Sequence, residues 1–327
     1  MLPFTYAAAS DTAAALRLIS ASRDTAFIAG GTDLLQLLQE TVLAPRTVID
    51  INGLPFRGVQ READTVRIGS LTRLSDVADD PTIRLDFPLL AQALRETASP
   101  QVRNMASVGG NLLQRTRCLY FRDATVPCNK REPGSGCPAQ DGLNRINAIF
   151  GGSEHCIAAY PGDMAVALLA LDAELVVQGE TGERRMRLAD FYRQPGDTPQ
   201  LETTLEPGEL ITAILLPPNN AAEHSHYLKL RDRATFEWAL VSVAVALEMH
   251  EQRIERARIV AGGVGTTPWR LSRVEEMLLG ATLTADLARQ AGDSAGTGAA
   301  PKAGNAFKVP MLQRAVERAV LNAGGLA

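Results

Sequence analysis

Ile28-Ala29-Gly30-Gly31-Thr32-Asp33-Leu34-Leu35 and Ala98-Ser99-Pro100-Gln101-Val102-Arg103-Asn104-Met105-Ala106-Ser107-Val108-Gly109-Gly110-Asn111-Leu112 decide how this chain is read. In the first stretch a short apolar strand, Ala26-Phe27-Ile28, runs into two consecutive glycines and then a helix pattern. A glycine pair lets a backbone approach a ligand closely, and the amides at the turn and helix start can donate to phosphate oxygens. In the second stretch Ser107, Gly109-Gly110 and Asn111 again present bare backbone between small hydrogen-bonding side chains. That arrangement suits a diphosphate or a flavin edge. Each stretch, taken alone, is equally a plain glycine turn. Neither is the G-x-G-x-x-G fingerprint, and no G-x-x-x-x-G-K-[ST] loop exists.

Around these stretches the chain has an ordinary globular profile. It has 327 residues, 46% hydrophobic and 21% charged, with a formal net charge of −4, enough for two or three domains and without the basic surplus of a nucleic-acid binder. The start, Met1 to Tyr6, lacks the charge and apolar run of a secretion signal. The longest mostly apolar run, Trp238 to Leu247, is too short to span a bilayer. The expectation is a chain made in soluble form, its compartment left open because export on a signal-bearing partner stays possible.

Periodicity divides the chain into three regions. Residues 1–52 form an α/β unit, with helix patterns at 12–20 and 33–40 and strand patterns at 26–28 and 47–51. Residues 53–220 open with a strand at 66–69 and helices near 73–78 and 88–97, then resume after an interruption with a helix at 163–171 and a strand at 174–178. Pro217-Pro218-Asn219-Asn220 marks a boundary. Residues 221–327 carry long strand patterns at 225–230, 239–248 and 253–262, which predict an antiparallel sheet. Helix patterns at 272–279, 285–291 and 310–322 would cover one face of it. Gly292–Gly304, rich in small residues, reads as a mobile loop.

The interruption, residues 115–157, holds every cysteine in the chain: Cys118, Cys128, Cys137 and Cys156. It is poor in apolar residues and rich in turn formers, so it is expected to need an external tie such as a metal centre. The spacings match neither the paired C-x₂-C of a zinc ribbon nor the bacterial ferredoxin run. On the residues alone, zinc, an iron–sulfur cluster and two disulfides all remain open. Arg115, Arg117, Arg122, Lys130, Arg131 and Arg145 crowd the segment. They read either as counter-charges to an anionic cluster or as a solvated docking face. His224 and His226 read as structural, and Glu237-Trp238 as sheet packing.

Taken together, A-G-G-T-D-L followed by S-x-Q-V-R-N-x-A-S-V-G-G-N-L resembles the FAD-binding subunit of molybdenum hydroxylases, the xanthine dehydrogenase and carbon monoxide dehydrogenase group. Lys229-Leu230-Arg231-Asp232-Arg233 resembles the K-x-x-x-R motif of its C-terminal lobe. The resemblance spans nearly the whole chain. It implies an α+β fold: a two-lobed FAD-binding domain of the vanillyl-alcohol oxidase type, then a C-terminal α+β domain. The cysteine segment resembles that of the flavin subunit of periplasmic aldehyde oxidoreductases, in which four cysteines bind an extra [4Fe–4S] cluster. The flavin subunit of 4-hydroxybenzoyl-CoA reductase, also with an inserted cluster, is a more distant likeness.

Carried over by position, the resemblance puts the FAD diphosphate against Ala26, Phe27, Ile28, Ala29, Gly30, Gly31, Thr32, Asp33 and Leu34. It adds Ser107, Gly110 and Asn111 to the cofactor site, makes Asp163 an FAD ligand and places Lys229 near the flavin. Without the resemblance, Asp163 reads as a helix N-cap and Lys229 as a surface strand charge. The implied partners are a large molybdopterin-binding subunit and a small [2Fe–2S] subunit in a heterotrimer, with an external electron acceptor beyond. Aldehyde oxidation then belongs to the large subunit, and no residue of this chain acts as its acid, base or nucleophile. Other molybdenum hydroxylases and a free-standing flavin oxidase are the alternatives, the latter lacking a convincing catalytic set.

Overall fold

The polypeptide builds three sheets in chain order, each finished before the next begins, except that the second encloses the cysteine-bearing insert. A computed structural model describes residues 1–22 and 24–326. The first sheet holds β1 (Thr5–Ala8), β2 (Thr25–Ile28) and β3 (Thr47–Asp50), all parallel in the order β1-β3-β2, with α1 (Thr12–Ser20) and α2 (Leu34–Gln39) as crossovers. Asp11 caps α1 by accepting from the Ala14 amide at 2.7 Å.

The second sheet is antiparallel. Its strands are β4 (Val59–Glu62), β5 (Thr65–Gly69), β6 (Glu174–Gly179), β7 (Gly182–Arg187) and β8 (Leu210–Leu216), in the order β4-β5-β8-β6-β7. Between β5 and β6 run α3 (Leu74–Asp79), α4 (Pro81–Asp86), α5 (Pro88–Glu96), α6 (Pro100–Arg103), α7 (Val108–Leu112), α8 (Leu119–Arg122) and α9 (Met164–Ala170). Prolines open α4, α5 and α6, where a missing N–H costs nothing. The Leu-Ile-Thr-Ala-Ile-Leu-Leu run of β8 is buried throughout, as a central strand covered on both faces must be.

The third sheet, β9 (Ser225–Leu230), β10 (Val241–His250), β11 (Arg253–Gly262) and β12 (Trp269–Arg270), is antiparallel in the order β12-β11-β10-β9. The helices α10 (Ser272–Leu278), α11 (Ala285–Ser294) and α12 (Lys308–Ala323) follow. Alternation along β10 sorts its two faces. Val241, Val243, Val245 and Leu247 pack with Leu312, Ala315 and Val316 of α12, whereas Ala244 and Ala246 join the core around α5 and α9. Both faces are therefore covered, which explains why β10 is apolar almost without interruption. All seven residues of α9 are buried, so this helix is the shared core of the second and third sheets.

Two expectations change. The small-residue segment 292–304 is not loop throughout: α11 runs to Ser294, and Gly292 and Ala295 are buried. Alanine and serine are compatible with a helix, and tertiary packing extends it. Secondly, β1, β4, β7, β8 and β12 lie outside the strands expected from periodicity, as do α4, α6, α7 and α8 among the helices. The first three are short and mostly polar outward, and β8 carries no alternation because both its faces are covered. Among the described residues, no helix is long and apolar enough to cross a membrane. Truncating Leu168, fully buried in α9, to alanine is expected to cost about 2–5 kcal/mol of unfolding free energy, read as a lower urea midpoint at unchanged slope.

Candidate functional site

The turn after β2 is drawn tightly against the segment before α7. A Cβ built on Gly30 would lie 2.0 Å from the Met105 carbonyl oxygen, so only glycine allows the first and second sheets' loops to meet there. Gly31 has φ +71°, the left-handed region that glycine enters without strain. Among the described residues, the amides of Gly30, Gly31, Thr32 and Asp33 have no intramolecular acceptor. Four donors in one turn are thus available to an anionic ligand. The second glycine pair differs: Gly109 donates to the Ser70 carbonyl at 2.7 Å and Gly110 to Ser107 Oγ at 3.3 Å. Its amides are spent on its own fold.

A cavity of about 520 Å³ opens between these loops, within the range of small-molecule and cofactor sites. Phe27 through Leu34, Ser107, Gly110, Asn111 and Asp163 line it; Ala26 and Lys229 do not. Ala26 is spent on the β2–β3 ladder opposite Val48. Lys229 is buried behind Asp163, donating to Asp163 Oδ2 at 2.8 Å and to the Glu96 carbonyl at 3.0 Å. Tyr227 donates its hydroxyl to the other Asp163 oxygen at 2.7 Å. Burial pushes the Asp163 carboxyl above its ordinary range, while the Lys229 ammonium and Tyr227 hydroxyl oppose that shift and hold the anion. Asp163 caps nothing with its side chain, so it faces the cavity as a supported carboxylate rather than as an N-cap.

Several rim residues were not anticipated. Trp238, expected to pack the sheet, instead lines the cavity beyond the end of β9, with the Arg117 guanidinium 4.6 Å from its ring centroid. Phe236 and Ala98 also line it, both at positive φ (53° and 50°), and the Phe236 amide donates to the Ala98 carbonyl at 3.1 Å. Paired left-handed residues at a cavity edge are held there only because the surrounding fold fixes both. No local pattern marks them. Inside, Ser70 Oγ and Asn111 Oδ1 are buried without a partner, which is the expected condition of groups awaiting a polar ligand. Free turn amides, open side-chain oxygens and apolar walls such as Leu71 and Leu74 fit a dinucleotide with a flat ring system.

Asp33 connects this cavity to the insert. Its carboxylate accepts from Arg117 Nη1, Arg122 Nη2 and the Arg115 amide, each at 2.8 Å. Burial lowers the Arg117 guanidinium to about 10, still charged at neutral pH, with Asp33 opposing the shift. The other basic residues of the insert are also largely paired: Arg115 and Lys130 with Glu202, and Arg145 with Asp232. They are therefore internal ion pairs more than a free cationic face. Arg131 instead donates to the Tyr120 and Phe121 carbonyls.

The insert also has more core than its composition suggests. Leu37, Val42, Phe121, Ala139 and Ile157 cluster with Cys118, Cys128 and Cys156, and Asn129, Arg131 and Ser135 stitch the turns through side-chain hydrogen bonds. The four cysteines are unpaired and together line one small cavity. Burial pushes the Cys156 thiol up to about 11 and raises Cys137 as well. Among the described residues, no three His, Cys, Asp or Glu side chains converge tightly enough for a single metal ion. A lone Zn²⁺ at about 2.3 Å from each sulfur would demand such convergence.

Removing the Asp33 carboxylate leaves two largely buried arginines without their counter-charge. Asp33→Ala is expected to cost about 3 kcal/mol, as breaking a buried pair from one side does, and to loosen residues 115–122 in hydrogen exchange before the rest of the chain unfolds.

The description "FAD binding domain in molybdopterin dehydrogenase" matches residues 2–219, and "CO dehydrogenase flavoprotein C-terminal domain" matches residues 226–323. The aldehyde oxidoreductase FAD-binding subunit PaoB of Escherichia coli (strain K12) is 42% identical over 316 residues, 96% of each chain. The carbon monoxide dehydrogenase medium chain of Hydrogenophaga pseudoflava is 28% identical, over 90% of this chain and 87% of that one. A crystal form of that dehydrogenase lacking the Mo-pyranopterin moiety superimposes with a TM-score of 0.78, covering 99% of both chains at 27% identity. With two adjoining domain descriptions accounting for nearly its whole length and a relative 42% identical over 96% of it, the chain belongs to the FAD-binding subunits of the molybdenum hydroxylase family.

Proposed function

We propose that this chain is the electron-transfer subunit of a heterotrimeric molybdenum-dependent aldehyde oxidoreductase, holding FAD in the glycine-lined cavity and a [4Fe–4S] cluster on Cys118, Cys128, Cys137 and Cys156. The observation that carries the reading is the pairing of two sites through one carboxylate: a cavity with unused turn amides, and four unpaired cysteines around a second cavity. The aldehyde assignment rests on the 42% relative, whose own name states that activity. In this reading the partners are a large molybdopterin-binding subunit and a small [2Fe–2S] subunit, and an external acceptor takes the electrons. Residues 1–52 and 53–220 serve as the two FAD-binding lobes and 221–327 as the C-terminal domain.

When bound, FAD supplies the interchange between single-electron and paired-electron transfer. The chain's own residues do the rest. The Gly30–Asp33 amides bind diphosphate oxygens, and Ser70 Oγ and Asn111 Oδ1 offer the unfilled side-chain contacts. Asp163, held by Lys229 and Tyr227, fixes one polar edge of the cofactor without being free to move. Trp238 and Phe236 at the rim limit access of water and acceptor.

The donor chemistry of the cysteine cavity fits a cluster. Four soft thiols line one cavity, with His155 also on its wall, and thiolates are the usual ligands of iron–sulfur clusters. Because the thiols must ionise to bind, and burial opposes this, the metal's positive charge has to supply the compensation. The small core of the insert makes the cluster a reinforcement of that segment rather than its sole tie.

Protein purified without oxygen is expected to show flavin absorbance with a broad iron–sulfur shoulder, and iron and sulfide near four per chain. Zinc in place of iron would overturn the cluster half of the reading, and a colourless protein unable to take up flavin would overturn all of it. Gly30→Ala is expected to weaken FAD retention by about tenfold or more, 1.4 kcal/mol or above, because the Met105 loop must retreat. Cys128→Ser with Cys137→Ser is expected to lose iron while most FAD stays. Full iron occupancy in that double variant would remove these residues from the ligand set.

A further inference from the structure

Once the ion pairs of the insert are assigned, one buried cation near it stands apart. Lys308 is fully buried at the first turn of α12 and donates to the carbonyls of Asn147 at 3.0 Å and Gly263 at 2.7 Å. Among the described residues no carboxylate lies within 4 Å of it, unlike Arg115, Arg117, Arg122, Lys130 and Arg145. An ammonium taken out of water without a counter-ion is strongly disfavoured. Its position deepens the cost, since the start of a sixteen-residue helix already carries the positive end of the helix dipole.

Asn147 leads from this cation to the cysteines. It is 1% exposed, and its side-chain amide donates from Nδ2 to Cys118 Sγ at 3.5 Å. Its Oδ1 is buried without a partner, so the amide has given up half its hydrogen bonding to face the sulfur. Asn305, also fully buried, donates to the carbonyls of Asn147 and Ala148 at 3.2 and 3.3 Å and holds that strand of chain in place. Asn147 thus links the two, its side-chain amide donating to Cys118 Sγ while its own carbonyl accepts from the Lys308 ammonium.

We propose that Asn147 and Lys308 are positioning residues that raise the reduction potential of a cluster bound through Cys118, a step that rests on the [4Fe–4S] reading above. Reduction adds one electron to an already anionic centre and makes or breaks no bond. A donor on a ligand sulfur and a cation bonded to the carbonyl of that same donor residue both favour the more negative state. Burial, with the Arg145 guanidinium adding to it, lowers the Lys308 ammonium to about 7, a shift that an anionic cluster would oppose.

The test is a dithionite titration followed by electron paramagnetic resonance on the full-length protein, in the assembly in which it purifies, after iron and sulfide analysis. Asn147→Leu and Lys308→Met are each expected to keep the cluster and lower its one-electron reduction constant about tenfold, 59 mV. Lys308→Arg is expected to recover most of the shift. Unchanged potentials in iron-replete Asn147→Leu and Lys308→Met overturn the proposal. Loss of iron from all three variants with FAD retained also overturns it, by making the pair structural supports. Should Asn147→Leu alone lose iron, the Lys308→Met potential decides. Wild-type protein devoid of iron defeats the cluster reading itself, a distinct result seen before any titration.

Discussion

A single carboxylate, Asp33, joins the parts of this molecule that chemistry requires to be together. Two guanidinium groups and a backbone amide converge on it from the start of the insert. It also sits directly after the glycine turn whose amides face the cavity. The position of that turn and the course of residues 115–122 are therefore set by the same charge. Withdrawing two arginines from water is costly, and Asp33 returns most of that cost only in one geometry. The glycine at position 30 completes the constraint, because any side chain there would separate the turn from the Met105 loop.

The insert illustrates how a polar, proline-rich segment is tied into a fold. Arg115, Arg117, Arg122, Lys130 and Arg145 are matched by acids outside the insert, Asp33, Glu202 and Asp232, while Arg131 is held by backbone carbonyls within it. Its turns are closed by side chains bonding to backbone, and its few apolar residues pack with three of the cysteines. Against this balanced background Lys308 is an exception. It enters from α12 in the C-terminal region and donates to the Asn147 carbonyl of the insert.

The third sheet contributes to the cavity in the same indirect manner. Lys229 and Tyr227 on β9 reach Asp163 at the head of α9, and α9 is packed between two sheets. The polar edge of the cavity thus depends on the docking of the C-terminal region. Trp238 and Phe236, in the connection from β9 to β10, close the rim from that side.

Much of this was legible in the residues themselves. Glycine pairs after a strand, alternating or unbroken apolar runs and a confined cysteine set are local signals, because they reflect backbone freedom, face burial and ligand chemistry. They gave the longer helices and strands, the antiparallel third sheet, the turn at 30–33 and the candidate thiols, while the short strands and helices stayed hidden. Only the tertiary structure decided what each charged residue faces. Asp33 meets Arg115 across 82 residues, Lys229 stands behind Asp163 instead of in the cavity, Trp238 turns to the rim, and Lys308 reaches Asn147 from the far end of the chain. The reason is physical: secondary structure is written in spacings of two to four residues, whereas an ion pair or a buried donor is defined by whichever distant segment packing brings against it.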